Sequence, residues 1–126
     1  MKALLDTSVV LATGVPPLEG DLAISSVSLA ELHFGVLVAK DGSVRAERLR
    51  RLLAIRETFD ALPLDDAVAA SYGQIAAAVV AAGRQPRARS MDLLIAATAH
   101  AHAARLYTRN ERDFEGLAGL VEVIAV

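Results

Sequence analysis

The chain has 126 residues, 54% of them hydrophobic and 22% charged, with a formal net charge of −2. That size and apolar content suit one packed domain over residues 1–126 and exclude disorder as a global description. The charge excludes a uniformly basic surface, and the lack of cysteine excludes disulfides and thiolate metal sites.

Ala3, Leu4 and Leu5 form a short apolar run that suits a buried strand, though it would also fit a core helix. The run stops at Asp6, too soon for a signal-peptide core. No stretch reaches the roughly 18 apolar residues of a membrane span. A soluble, cytoplasmic protein is expected. Asp6, Thr7 and Ser8 are helix-capping residue types, so a short helix is predicted over Thr7 to Thr13, ended by Gly14 and Pro16-Pro17. Ala23 to Ser26 follows as a second strand. Ser28 to Val38 reads as a helix, with Leu29, Leu32, Val36 and Ala39 at helical spacing. Val44 to Phe59 is an amphipathic helix with Leu49, Leu52, Leu53 and Phe59 as its apolar stripe, and the two helices should form a hairpin.

Ala61 to Leu64 fits a third strand. Asp65 or Asp66 caps a helix to about Ala82, carrying Val68, Tyr72, Ile75 and Val79 on one side, and Gly83 stops it. A polar loop around Pro86 leads to Ser90, read as the cap of a helix from Met91 to about Ala104. Arg105 to Thr108 is a fourth strand, Asn110 to Glu115 a turn, and Leu120 to Ala125 a last strand. Alternating strands and helices imply a three-layer α/β/α sandwich around a mostly parallel sheet.

Asp6, Glu31, Asp92 and Asp113 each stand at or near a place where a strand gives way to a helix or turn. Singly, each has a plain structural explanation. Asp6 suits an N-cap, and Ser28 to Glu31 has capping-box spacing. Asp92 complements the positive end of a helix, and Asp113 suits a turn. Together they differ, because all strands of a parallel sheet end on one edge, where open α/β sheets bind ligands. Carboxylates gathered there repel one another unless a cation offsets them. Oxygen donors suit Mg2+ or Mn2+, which can activate a water and stabilise charge on a phosphate. The expected chemistry is phosphodiester hydrolysis.

Thr7 and Ser8 add hydroxyls, Gly35 allows another segment to approach near Glu31, and Thr108, Arg109 and Asn110 put polar groups beside Asp113. Arg87, Arg89, Arg109 and Arg112 flank the acidic set and are candidates to grip phosphates. Arg45, Arg48, Arg50, Arg51 and Arg56 read instead as a solvated helix face with a Glu47–Arg51 pair. His100 and His102 point about 200° apart on a helix and cannot share a metal, and His33 is isolated. Structural or surface roles are expected for all three.

The strand ending in Asp6-Thr7-Ser8, then S-x-x-E-L-x-x-G (Ser28 to Gly35), M-D-L-L-I-A-A (Met91 to Ala97) and Y-T-R-N-x-x-D-F (Tyr107 to Phe114) together resemble the PIN domain. More narrowly, they are similar to the VapC-type ribonuclease toxins of type II toxin–antitoxin systems. The resemblance spans the chain with its motifs in order. It implies a Mg2+- or Mn2+-dependent endoribonuclease in which Asp6, Glu31 and Asp92 match the core acidic positions and Asp113 the fourth, more variable one. Ser8, Thr108 and Asn110 match supporting polar positions. It also implies an RNA substrate, a homodimer and a cognate antitoxin that blocks the site.

Two rivals are a non-catalytic module of the same fold, whose acidic pocket binds a partner, and a phosphoacceptor receiver domain. The receiver expects paired acidic residues after the first strand and a late lysine. Here Asp6 stands alone and the lysines are Lys2 and Lys40.

Overall fold

In the computed structural model, which describes residues 1–117 and 119–126, Lys2–Leu5 forms strand β1 at the centre of a five-stranded sheet. It lies between β2 (Asp21–Ser25) and β4 (Arg105–Thr108), with β3 (Asp60–Leu62) and β5 (Val123–Ala125) at the edges, in the order β3-β2-β1-β4-β5. Every pairing is parallel. Parallel neighbours need long crossovers; helices α1 (Thr7–Val10), α2 (Ser26–Leu37), α3 (Gly42–Thr58), α4 (Asp66–Ala81) and α5 (Ser90–Ala101) lie in those leading to β2, β3 and β4, and a 3-10 turn lies between β4 and β5.

The side chains of β1 alternate between two cores. Leu4, with Ala23 and Leu106, meets Val68, Ile75 and Val79 of α4 and Leu93 and Ala97 of α5. Ala3 and Leu5, with Ile24 and Tyr107, meet Val9 of α1 and Ile55 of α3. A strand covered on both faces is apolar at every position, which is why Ala3-Leu4-Leu5 shows no alternation. Leu4, Leu106, Ile75 and Ile95 are fully buried, each contributing about 1.5–3 kcal/mol by leaving water. The expected three-layer sandwich is what forms.

Several boundaries differ from the sequence reading. Helix α1 stops at Val10, and β3 ends at Leu62, before Pro63, which has no N–H for a ladder. Helix α2 starts at Ser26 because Ser25, whose Oγ accepts from the Val27 N–H at 3.0 Å, is its cap. Ser90 does not cap α5. A 3-10 turn, Pro86–Arg89, runs into that helix, and the Ser90 Oγ donates back to the Arg87 carbonyl at 3.1 Å. Helix α5 ends at Ala101, ahead of Ala103 with its φ of 50°, and β5 begins only at Val123.

Helices α2 and α3 do pack as a hairpin. In α3, however, every residue from 42 to 51 is exposed and burial begins at Leu52, followed by Ile55. Leu49 and Leu53, assigned to the inward stripe, face solvent. Glu47 pairs with Arg50 rather than Arg51. Arg48 donates to the Gly35 carbonyl and Arg45 to that of Ala39, so two arginines of the solvated face fasten the hairpin, while Arg51 donates to the Leu11 carbonyl and ties α3 to the end of α1.

Candidate active site

Asp6 is the first residue beyond β1. Its N–H donates to the Tyr107 carbonyl at 2.9 Å, carrying the β1–β4 ladder one residue past the strand. Its side chain makes no N-cap bond. Instead, Oδ2 accepts from Ser8 Oγ at 2.8 Å and from Thr108 Oγ1 at 2.9 Å. Asp6 is 5% exposed, and two charge-assisted bonds offset much of the desolvation of that carboxylate.

The supporting hydroxyls are themselves held. Ser8 Oγ accepts from the Arg109 N–H at 3.1 Å, and Thr108 Oγ1 accepts from the Asn110 N–H at 3.0 Å. The Asn110 backbone therefore orients Thr108, which orients Asp6. Each of these groups comes from the carboxyl end of β1 or β4.

Glu31 projects from α2. Since Ser28 is not the cap, the capping box does not form; Glu31 Oε1 accepts from Thr7 Oγ1 at 2.8 Å. The same Thr7 oxygen lies 2.8 Å from Ser28 Oγ, and Ser28 is completely buried. Asp92 lies in the first turn of α5. Asp113 sits in the 3-10 turn Glu111–Phe114, its N–H bonded to the Asn110 carbonyl at 2.9 Å.

The electrostatics join these carboxylates. The Asp92 carboxyl is raised to about 6, first by burial, then by the negative charges of Asp113, Asp6 and Glu31, with Arg89 opposing. Residues far apart in sequence thus share one field of negative charge, opposed by Arg89. Four oxygen-donor carboxylates around a desolvated site are chemically suited to Mg2+ or Mn2+. Among the described residues, though, no three His, Cys, Asp or Glu side chains are drawn into a ready ligand set. The carboxylates are coupled through charge and not closed on one point.

Two depressions flank this edge. One, about 430 Å³, is lined by Thr7, Glu31, Leu32, Gly35, Arg48 and Arg51, among others. The other, about 380 Å³, is formed by residues 109–113. Gly35, expected to admit another segment, has nothing within 4 Å of the position its Cβ would take; it opens onto the first depression. Arg109 and Arg112 line the second and are exposed, and Arg87 is exposed on its 3-10 turn. Arg89 Nη1 donates to the Arg112 carbonyl at 2.9 Å, tying the Asp92 and Asp113 segments together. Elsewhere, His100 Nδ1 is 2.8 Å from Ser71 Oγ between α4 and α5, a structural contact.

Sequence reasoning placed the Thr7 hydroxyl near the site but not its bond to Glu31, and it missed the parts of Ser28, Arg48 and Arg51. Ser28 was readable only as a capping type, and α3 had no sequence signal linking its arginines to α1.

A family model described as PIN domain matches residues 3–120. The chain is 36% identical over 131 residues to Ribonuclease VapC5 of Mycobacterium tuberculosis, covering 98% of this chain and 94% of that protein. It is 34% identical over 106 residues to the tRNA(fMet)-specific endonuclease VapC of Shigella flexneri, covering 81% and 74% respectively. A crystal structure of VapBC-5, a member of the VapBC toxin–antitoxin family from M. tuberculosis, matches with a TM-score of 0.83 at 35% identity. That match covers 99% of this chain and 97% of the other.

Proposed function

Because this chain belongs to the PIN domain family, we propose that it is an endoribonuclease that uses Mg2+ or Mn2+ and acts as the toxin of a toxin–antitoxin pair. The observation that carries this reading is the convergence on Asp92 of the charges of Asp6, Glu31 and Asp113. Asp6 and Asp92 are the principal cation holders, with Glu31 and Asp113 completing the site directly or through water. A divalent cation there supplies Lewis-acid activation of water and neutralises charge on the phosphate.

The protein's own groups do the rest. Ser8 and Thr108 keep Asp6 oriented through their hydroxyl protons. Asn110 holds Thr108 by its amide. Arg87, Arg89, Arg109 and Arg112 bind the phosphates flanking the scissile one, as guanidinium forks suit phosphate oxygens. RNA is the substrate and the cytoplasm the compartment. Among the described residues no helix is long and apolar enough to cross a membrane.

Two protein partners belong to this reading. An antitoxin segment covers the hairpin and the acidic edge, a role supported by solvent-facing Phe34 and Leu37 on α2 and Leu53 on α3. A second copy of the chain forms a homodimer.

A second reading, a non-catalytic PIN-like module that binds a partner through its acidic pocket, is favoured by the unclosed carboxylate set. One assay separates them: cleavage of single-stranded RNA with Mn2+, with chelator, and with Asp6→Asn. The nuclease reading expects cleavage that needs the metal and falls at least about 100-fold in the variant, with the fold retained. Mn2+ binding without cleavage of any RNA would establish the module.

A further inference from the structure

The hydrogen bonds around Thr7 have a direction. Thr7 Oγ1 carries one proton and donates it to Glu31 Oε1 at 2.8 Å. Its 2.8 Å contact with Ser28 Oγ must therefore use the Ser28 proton, so Ser28 donates to Thr7 and Thr7 donates to Glu31. Ser28 is fully buried within the first turn of α2, and a buried hydroxyl left without a partner is costly. That cost keeps the relay pointed outward, toward the carboxylate.

We propose that Thr7, oriented by the buried Ser28, is a positioning residue that fixes the Glu31 carboxylate so that its second oxygen serves the cation site. The inference rests on the metal-site reading above and deepens it. Asp6 and Thr7 are consecutive but reach different elements. Asp6 is clamped to the end of β4 through Thr108, while Thr7 reaches α2. One short segment thereby sets the distance between two of the acidic side chains. A free glutamate gives up rotamer freedom on becoming ordered. Glu31, already bonded through Oε1, has lost much of that freedom before a cation arrives.

The test uses Mn2+ alone, titrated into the intact chain and followed by the electron paramagnetic resonance of the free ion. Thr7→Val and Thr7→Ala delete the hydroxyl; two variants are used because either alone can disturb the start of α1, and circular dichroism confirms the fold. Loss of a group that orients a ligand weakens metal affinity about 10- to 100-fold, and that loss is expected for both. Thr7→Ser restores the hydroxyl and should recover affinity near the parent's, whereas Ser28→Ala should fall between. Folded Thr7→Val or Thr7→Ala protein that binds Mn2+ as tightly as the parent overturns the inference. So does Thr7→Ser binding as weakly as the deletions. A parent chain that binds no Mn2+ removes the metal site itself, and the role of Thr7 falls with it.

Discussion

Thr108 and Asp6, 102 positions apart, are joined by a 2.9 Å hydrogen bond between the ends of β4 and β1. Thr108 is wholly buried, and its oxygen also accepts the Asn110 N–H. Thr108→Val keeps the shape but strands a backbone donor and removes one of two hydroxyls from a buried carboxylate. A loss of about 1–3 kcal/mol is expected in urea denaturation, together with weaker Mn2+ binding. An unchanged denaturation midpoint would mean the bond adds nothing net.

Asp92 makes stability depend on pH. Its carboxyl stands near 6 in the folded chain against 3.8 as its ordinary value, so the folded state holds that proton more tightly than the unfolded one. The stabilisation from this group is full below about 4 and is lost as pH rises through 6. Asn in its place has no proton to lose. Metal-free Asp92→Asn should therefore gain stability relative to the parent between pH 4 and pH 7, measured by thermal unfolding. A difference that is flat or reversed across that range would contradict the shared acidic field.

Arg109 is exposed in the depression beside Asp113, and its guanidinium lies in no ion pair among the described residues. Arg109→Ala should weaken binding to all single-stranded RNAs alike. It should also lower the slope of log affinity against log salt by about 1. Arg50→Ala, which loses only a surface partner in Glu47, should leave that slope where it was. Equal effects from both would deny Arg109 a phosphate contact.

Gly35 sits inside α2 with open space where a Cβ would go. Gly35→Ala should stabilise the chain by about 0.5–1 kcal/mol through the lower backbone entropy of the unfolded state. A destabilised variant would show that the neighbouring wall closes on this position.

The sequence alone carried the architecture and singled out the four carboxylates as candidates. Ala3-Leu4-Leu5 was legible because a strand covered on both faces has an unbroken apolar signature, and α4 because Asp65 and Gly83 punctuate it. The rule that parallel strands end on one edge put Asp6 and Asp113 together before any coordinates; Asp92 follows a 3-10 turn and not a strand, and its coupling to them came only with the fold. What only the tertiary structure decided is which atom touches which. Capping types at Ser25, Ser28 and Ser90 are interchangeable by composition; the sheet edge assigned the first as cap, turned the second toward Thr7 and bent the third back to Arg87. Of the stripe expected on α3, Leu52 is buried and Phe59 partly so, Leu49 and Leu53 face solvent, and Ile55 supplies the other buried position. A local pattern records a residue's preferences, but hydroxyl bonds and burial reach only a few ångströms, so their partners depend on strands separated by most of the chain.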